Sequence, residues 1–288
     1  MGLVAPISID LHAHGSAASA AIVGIPELAD AERAAAIATW RGRMVNEHIS
    51  ARVFAALLQQ MMRAGLPAEW LAAVADASVD ELRHGRQCAA VVVALGGEAR
   101  AQINQLDEVP EHSDVSALEA VCRNALSISC LSETVAVALI TSERERAGVA
   151  SIRETLSTIL ADEVKHARTG WRIVEHALTS MDERAIERMD RYLVVALRHL
   201  CAHELSHLPA VGAISDRAES VGVCDGHLAR GLFFDTVASV ILPRLQSLGL
   251  QAHRAWELSG GQALAQQHTA MPAGNCEPLA TVSIGAAQ

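Results

Sequence analysis

Apolar residues recur along this chain with the spacing of helix faces. From about Asp30, the residues Trp40, Met44, Ala51, Phe54, Leu58 and Met61 fall on one stripe, with a single acidic residue, Glu47, in its middle. Gly65-Leu66-Pro67 ends this helix. A second stripe holds Leu71, Val74, Ser78, Glu81, Gly85, Cys88 and Val92 and stops at Gly96-Gly97. Polar residues to about Ser113 read as a connection, with Asp114 as the expected N-cap of a third helix. That helix carries Cys122, Leu126, Ser129, Glu133, Val137 and Ile140 on one face. Gly148 marks the break before a fourth, with Ile152, Leu156, Ile159, Glu163, Gly170, Val174, Ala177 and Met181. The expected organisation is an irregular lead-in over 1–29 and a four-helix domain over 30–180. A helical extension over 181–258 packs on that domain, with helices over about 182–208 and 225–257, and a flexible Gly/Ala/Gln/Pro tail covers 259–288.

The heights of the acidic residues fit this pairing. If the first two helices form an antiparallel hairpin, Glu47 and Glu81 meet only when the turn lies near residue 64; Glu133 and Glu163 require one near residue 148. Gly65 and Gly148 stand at those places. A thirty-residue helix is about 45 Å long, and the stretch from Gly97 to Ser113 reaches about 55 Å when extended. It is long enough to cross from one end of the hairpin to the other. The fold class expected is all-α: an antiparallel four-helix bundle with a long crossover between its second and third helices, plus two C-terminal helices.

Composition supports this reading. The chain has 51% hydrophobic residues, eight prolines, three phenylalanines and one tyrosine, a balance that favours helix over strand. A net charge of −10 without a basic face argues against nucleic acid as a partner. Six cysteines form no Cys-x-x-Cys pair and read as reduced thiols. Neither a signal peptide nor eighteen consecutive apolar residues is present, so a cytoplasmic protein with no membrane span is expected.

The chemistry lies in a phrase that occurs twice. Asp80-Glu81-Leu82-Arg83-His84-Gly85-Arg86 is echoed by Asp162-Glu163-Val164-Lys165-His166-Ala167-Arg168. Each copy holds Glu-x-x-His, which puts carboxylate and imidazole on one helix face. Each follows a lone glutamate in the preceding apolar stripe, Glu47 or Glu133. Burying four carboxylates together is costly unless cations compensate them. Arg43 and Arg83 are the candidate side chains and cannot neutralise all four. Two divalent metals can, and oxygen with imidazole donors suits iron or manganese.

This duplicated, spaced set resembles the ferritin-like di-iron carboxylate superfamily over residues 30–180. The resemblance implies a ferritin-like bundle holding two Fe ions, or one Mn and one Fe. It places Glu47, Glu81 and His84 on one metal, Glu133, Glu163 and His166 on the other, and Glu81 and Glu163 as bridges. It also implies that Asp80 and Asp162 orient a ligand histidine through its free ring nitrogen. The activity implied is activation of O2 by a mono-oxygenase or oxidase acting on a small organic substrate. An external electron donor or reductase is expected, since no flavin or nicotinamide fingerprint occurs. A homodimer is a further expectation. The alternative is a ferroxidase or peroxidase of bacterioferritin-like type. Other branches fit less well: Tyr192, the sole tyrosine, lies outside the four helices, and a rubrerythrin-type Cys-x-x-Cys domain is missing. The N-oxygenase branch has a histidine where this chain has Ile159. Small residues beside the ligand positions (Ala51, Ala77, Ser78, Gly85, Ser129, Ala167) either leave room for a substrate or let helices approach closely.

Two motifs compete. His203-Glu204-Leu205-Ser206-His207 is a literal zinc-peptidase signature. However, Glu204 falls on the apolar stripe of Ile186, Met189, Leu193, Leu197 and Leu200, and Pro209 follows at once. Asp10-Leu11-His12-Ala13-His14 matches a hydrolase motif whose barrel elements do not follow. A metal-free structural bundle is the remaining reading.

Overall fold

The computed structural model describes residues 7–103, 108–208 and 214–270. Its elements in chain order are β1 (Ile7–Asp10), α1 (His12–Ala18), α2 (Asp30–Arg63), α3 (Ala68–Ala94), β2 (Arg100–Ile103), α4 (Ala117–Ala125), α5 (Glu133–Arg146) and α6 (Ala150–Thr179). There follow α7 (Glu183–His207), α8 (Asp216–Ser220), α9 (Gly226–Thr236), α10 (Leu242–Ser247), α11 (Ala252–Ser259) and α12 (Gly261–Ala270). The protein is predominantly helical, with one two-stranded ribbon among the described residues.

Helix α2 starts where the Glu32 carboxylate accepts the Ala29 N–H (2.9 Å) and stops at Gly65, whose φ of 70° lets the chain reverse. Helix α3 runs back along it, and the Ser78 hydroxyl donates to the Ala51 carbonyl at 2.8 Å. The crossover is pinned at the far end, where Gln60 and Asn124 amides both donate to the Pro110 carbonyl (3.1 and 2.7 Å). Ser116, rather than Asp114, caps the next helix by accepting the Glu119 N–H at 3.2 Å. Ser116 with Glu119 matches the Ser-x-x-Glu capping spacing, whereas Asp114 pairs with Arg123 instead.

Between α4 and α5 the helix widens into a π segment, Leu126–Ser132, that ends on Glu133. Opposite it lies Gly170 of α6. A Cβ there would fall 2.2 Å from the Ser129 Cβ, so only glycine lets the two backbones approach. The run from α4 through α5 is long and apolar enough to cross a membrane, yet 44% of its most apolar window is buried inside the protein. It also carries Glu119, Arg123 and Glu133 inward, as a core helix does.

Two expectations need correction. Part of the lead-in is ordered: β1 pairs antiparallel with β2, Ile7 opposite Ile103 and Asp10 opposite Arg100, and α1 packs on α3. The helix expected over 225–257 is broken. A π turn, Val237–Ile241, precedes Pro243, which removes an N–H and crowds the carbonyl of Ser239, and Gly249 (φ 88°) then separates α10 from α11. Helix α12 occupies the start of the expected tail; residues 271–288, with Cys276, lie outside the described residues, as do Pro209 and residues 1–6.

Packing falls into two apolar layers. One gathers Phe54, Leu57, Leu126, Leu131, Ile173, Leu193 and Phe233; the other gathers Trp40, Met44, Cys88, Val92, Ile152 and Leu156. Along α2, α3, α5 and α6, the acidic positions fall between them. Replacing Gly170 with alanine is expected to cost about 1–3 kcal/mol through overpacking against Ser129. Gly42→Ala, at an exposed α2 position with open space, should instead stabilise by about 0.5–1 kcal/mol. Paired urea-unfolding curves would check this, and equal stabilities would contradict the close approach.

Candidate metal centre

Glu47, Glu81, His84, Glu133, Glu163 and His166 converge between the two apolar layers. None is more than 7% exposed. Two groupings arise whose ligand atoms lie within 4.8 Å of one another: Glu47, Glu81, His84 and Glu163, and Glu81, Glu133, Glu163 and His166. Glu81 and Glu163 belong to both groupings. Glu47 and Glu133 each belong to one.

The imidazoles point inward through Nδ1. His166 Nδ1 lies 2.9 Å from Glu163 Oε2 and 3.2 Å from Glu81 Oε1. His84 Nδ1 lies 3.3 Å from Glu163 Oε1 and 3.5 Å from Glu47 Oε2. Their outer nitrogens meet the aspartates crosswise. His84 Nε2 is 3.3 Å from Asp162 Oδ2, and His166 Nε2 is 3.4 Å from Asp80 Oδ2. Each aspartate therefore orients the histidine of the other copy of the motif. Arg83 joins the two halves by donating to both Asp80 and Asp162, the latter at 2.8 Å, and Lys165 Nζ adds a second contact to Asp162 at 2.8 Å. Sequence reading named Arg83 only as a possible counter-cation. The signal for its clamping role was a cation at the same place in both copies.

Neither arginine neutralises the glutamates. Arg43 is held by Glu143 and lies over the Trp40 ring, 4.9 Å from its centroid. Arg83 is occupied by the aspartates. The unmet demand shows in two buried atoms, Glu81 Oε1 and His84 Nδ1, that have no hydrogen-bond partner. A donor set of four carboxylates and two inward imidazole nitrogens, with unpartnered polar atoms at its centre, fits metal ions.

Electrostatics lead the same way. Burial, reinforced by the carboxylates of Glu81 and Glu163, pushes both Glu47 and Glu133 well above the usual range. Burial opposes charge on the imidazoles, but Glu163, Glu47 and Glu81 outweigh it and raise His84 to about 12. Glu163 and Glu81 likewise outweigh burial and raise His166 to about 10. Asp162, despite its burial, is held down at about 2 by Lys165, Arg83 and His84.

Other singled-out residues lie elsewhere. His203 and His207 are exposed with ring centroids 4.3 Å apart, and among the described residues no third ligand atom joins them in a metal-sized group. Asp10 accepts the His12 N–H and pairs with Arg100, while His12 Nδ1 accepts the Ala99 N–H, so that motif serves the ribbon. Tyr192 contacts Ser127 at 3.0 Å and packs under Arg123, outside the cluster. The described cysteines are all free.

No protein-family model, curated protein or solved structure matches this chain. Site geometry alone therefore carries the functional reading.

Two outcomes are expected. Metal ligation needs neutral imidazoles, and both are protonated below about pH 10, so loading should release at least about two protons per centre and affinity should rise with pH between about 6 and 8. Calorimetry in buffers of different ionisation enthalpy would measure this, and a pH-independent affinity would contradict it. Separately, Asp162→Asn should weaken metal binding by about 10–100-fold. Because the pairing is crossed, the ring resonances of His84 should shift more than those of His166, its neighbour in sequence.

Proposed function

We propose that the protein is a di-iron, or manganese–iron, oxidoreductase with a ferritin-like bundle, which activates O2 toward a small organic substrate. The observation that carries this reading is the sharing of Glu81 and Glu163 between two buried ligand groupings. A single-metal site needs neither the second grouping nor the duplicated histidine.

When bound in its reduced form, the metal pair would supply two electrons to O2. The chain's own residues define the surroundings. Glu81 and Glu163 would serve both ions, and Glu47 and Glu133 would serve one each. Asp80 and Asp162 keep Nδ1 of each imidazole aimed inward and make it a better donor. Arg83 fixes the two aspartates relative to one another. The apolar layers above and below exclude water, which strengthens every charge interaction inside and protects a reactive oxidant from quenching. Electrons come from a separate donor in this proposal, since the sequence carries no flavin or nicotinamide fingerprint.

Metal analysis after aerobic purification and anaerobic iron loading tests the reading. About two iron ions per chain are expected, with loss of both in Glu81→Gln or Glu163→Gln, since a shared carboxylate serves two sites. His203→Ala should retain both. Zinc in place of iron, lost on changing His203 and kept on changing His84, would overturn the proposal in favour of a peptidase. Oxygen consumption driven by Fe2+ alone, with accumulation of ferric mineral, would favour a ferroxidase.

A further inference from the structure

The two glutamates that belong to one grouping each stand on different backbone. Glu47 lies inside α2, which runs as uninterrupted α-helix from Asp30 to Arg63. Glu133 begins α5, at the residue where the π segment Leu126–Ser132 ends. With its i→i+5 bonds, a π segment holds a surplus residue relative to an α-helix. Moving that surplus past Glu133 would turn its side chain by about 100° about the axis, away from Glu81, Glu163 and His166.

We infer that Gly170 and Trp171 of α6 hold Glu133 in the register at which it can serve a metal ion, and so govern one ion position and not the other. The inference rests on the metal-centre reading above. These two positioning residues grip the chain on either side of Glu133. Four residues before it, Ser129 lies so close to Gly170 that an added Cβ would fall 2.2 Å from the Ser129 Cβ. One residue after it, the Thr134 hydroxyl accepts the Trp171 indole N–H at 3.1 Å. The surplus residue cannot pass Glu133 without breaking that bond, because Thr134 would turn with its neighbour. The start of the segment is held as well, by Ser127 against Tyr192 of α7 at 3.0 Å.

Both residues follow ligands on their own helix. Gly170 lies about one turn beyond His166, which itself lies about one turn beyond Glu163. Helix α6 thus supplies two members of this grouping and fixes the backbone that supplies a third, Glu133. Arg244 of α10 lies over the Trp171 ring, 6.0 Å from its centroid, and pairs with Glu175 of α6 at 3.1 Å. The indole is therefore engaged through its ring as well as its N–H. Glu47 has no such dependence, since it belongs only to the other grouping and its helix carries no surplus residue. Chains in the slipped register would raise the apparent Kd of the ion that Glu133 serves, by the inverse of the competent fraction.

The test titrates the full chain with Fe2+ under argon and follows the paramagnetically shifted ring signals of His84 and His166 separately. Thr134→Val keeps the side-chain shape and removes the acceptor. It should raise the Fe2+ concentration that half-saturates the His166 signal by about fivefold, the worth of one hydrogen bond. Trp171→Phe should do the same, the two together should add little, and Thr134→Ser should restore the native midpoint. The His84 signal should keep its native midpoint throughout. Urea unfolding is measured on every variant. If the variants lose stability while the His166 midpoint stays native, or if both midpoints rise together, the two residues only support the fold and the inference alone fails. If the native chain takes up no Fe2+, the metal-centre reading fails and this inference with it. Gly170→Ala should shift the His166 midpoint further, and the Thr134 and Trp171 variants decide the matter if it does not fold.

Discussion

Four carboxylates and two imidazoles shut together in an apolar interior are the constraint around which this structure is arranged. Each isolated charge there would cost several kcal/mol to desolvate. Their shared surroundings favour the protonated forms of Glu47, Glu133, His84 and His166. The two apolar layers on either side supply the stability that a polar slab cannot provide for itself.

The second determinant is the crossed pairing of aspartate with histidine. A local pairing, Asp80 with His84 and Asp162 with His166, would leave the two halves of the motif independent. In the crossed form α3 holds the histidine of α6 and α6 holds that of α3, with Arg83 across both aspartates. A shift of one helix along the other by a single residue would break both pairs at once. Register between α3 and α6 is thereby fixed at the level where the ligand atoms must meet, by contacts lying just outside the ligand set.

Much of this was legible in the sequence because helix periodicity and equal heights are strong local signals. The midpoint rule placed reversals at residues 64 and 148, and the chain turns at Gly65 and at Gly148. What escaped depends on tertiary contact. The π segment before Glu133 contains neither proline nor glycine, and it exists where Ser129 must pass Gly170 of another helix. The crossed partners could not be told from local ones, since both satisfy the same spacing. The N-terminal strand is four residues long and pairs with a segment inside what read as a polar connection, too short for either half to show a period of two.

Preorganised charge works best when nothing around it moves. The α3–α6 side of the centre is locked by Arg83, Lys165 and the two aspartates, where displacement would misplace both histidines at once. The contacts that hold the imidazoles therefore come from the same pair of helices that carry them, and the duplicated motif supplies both the inward-facing groups and the means of aiming them.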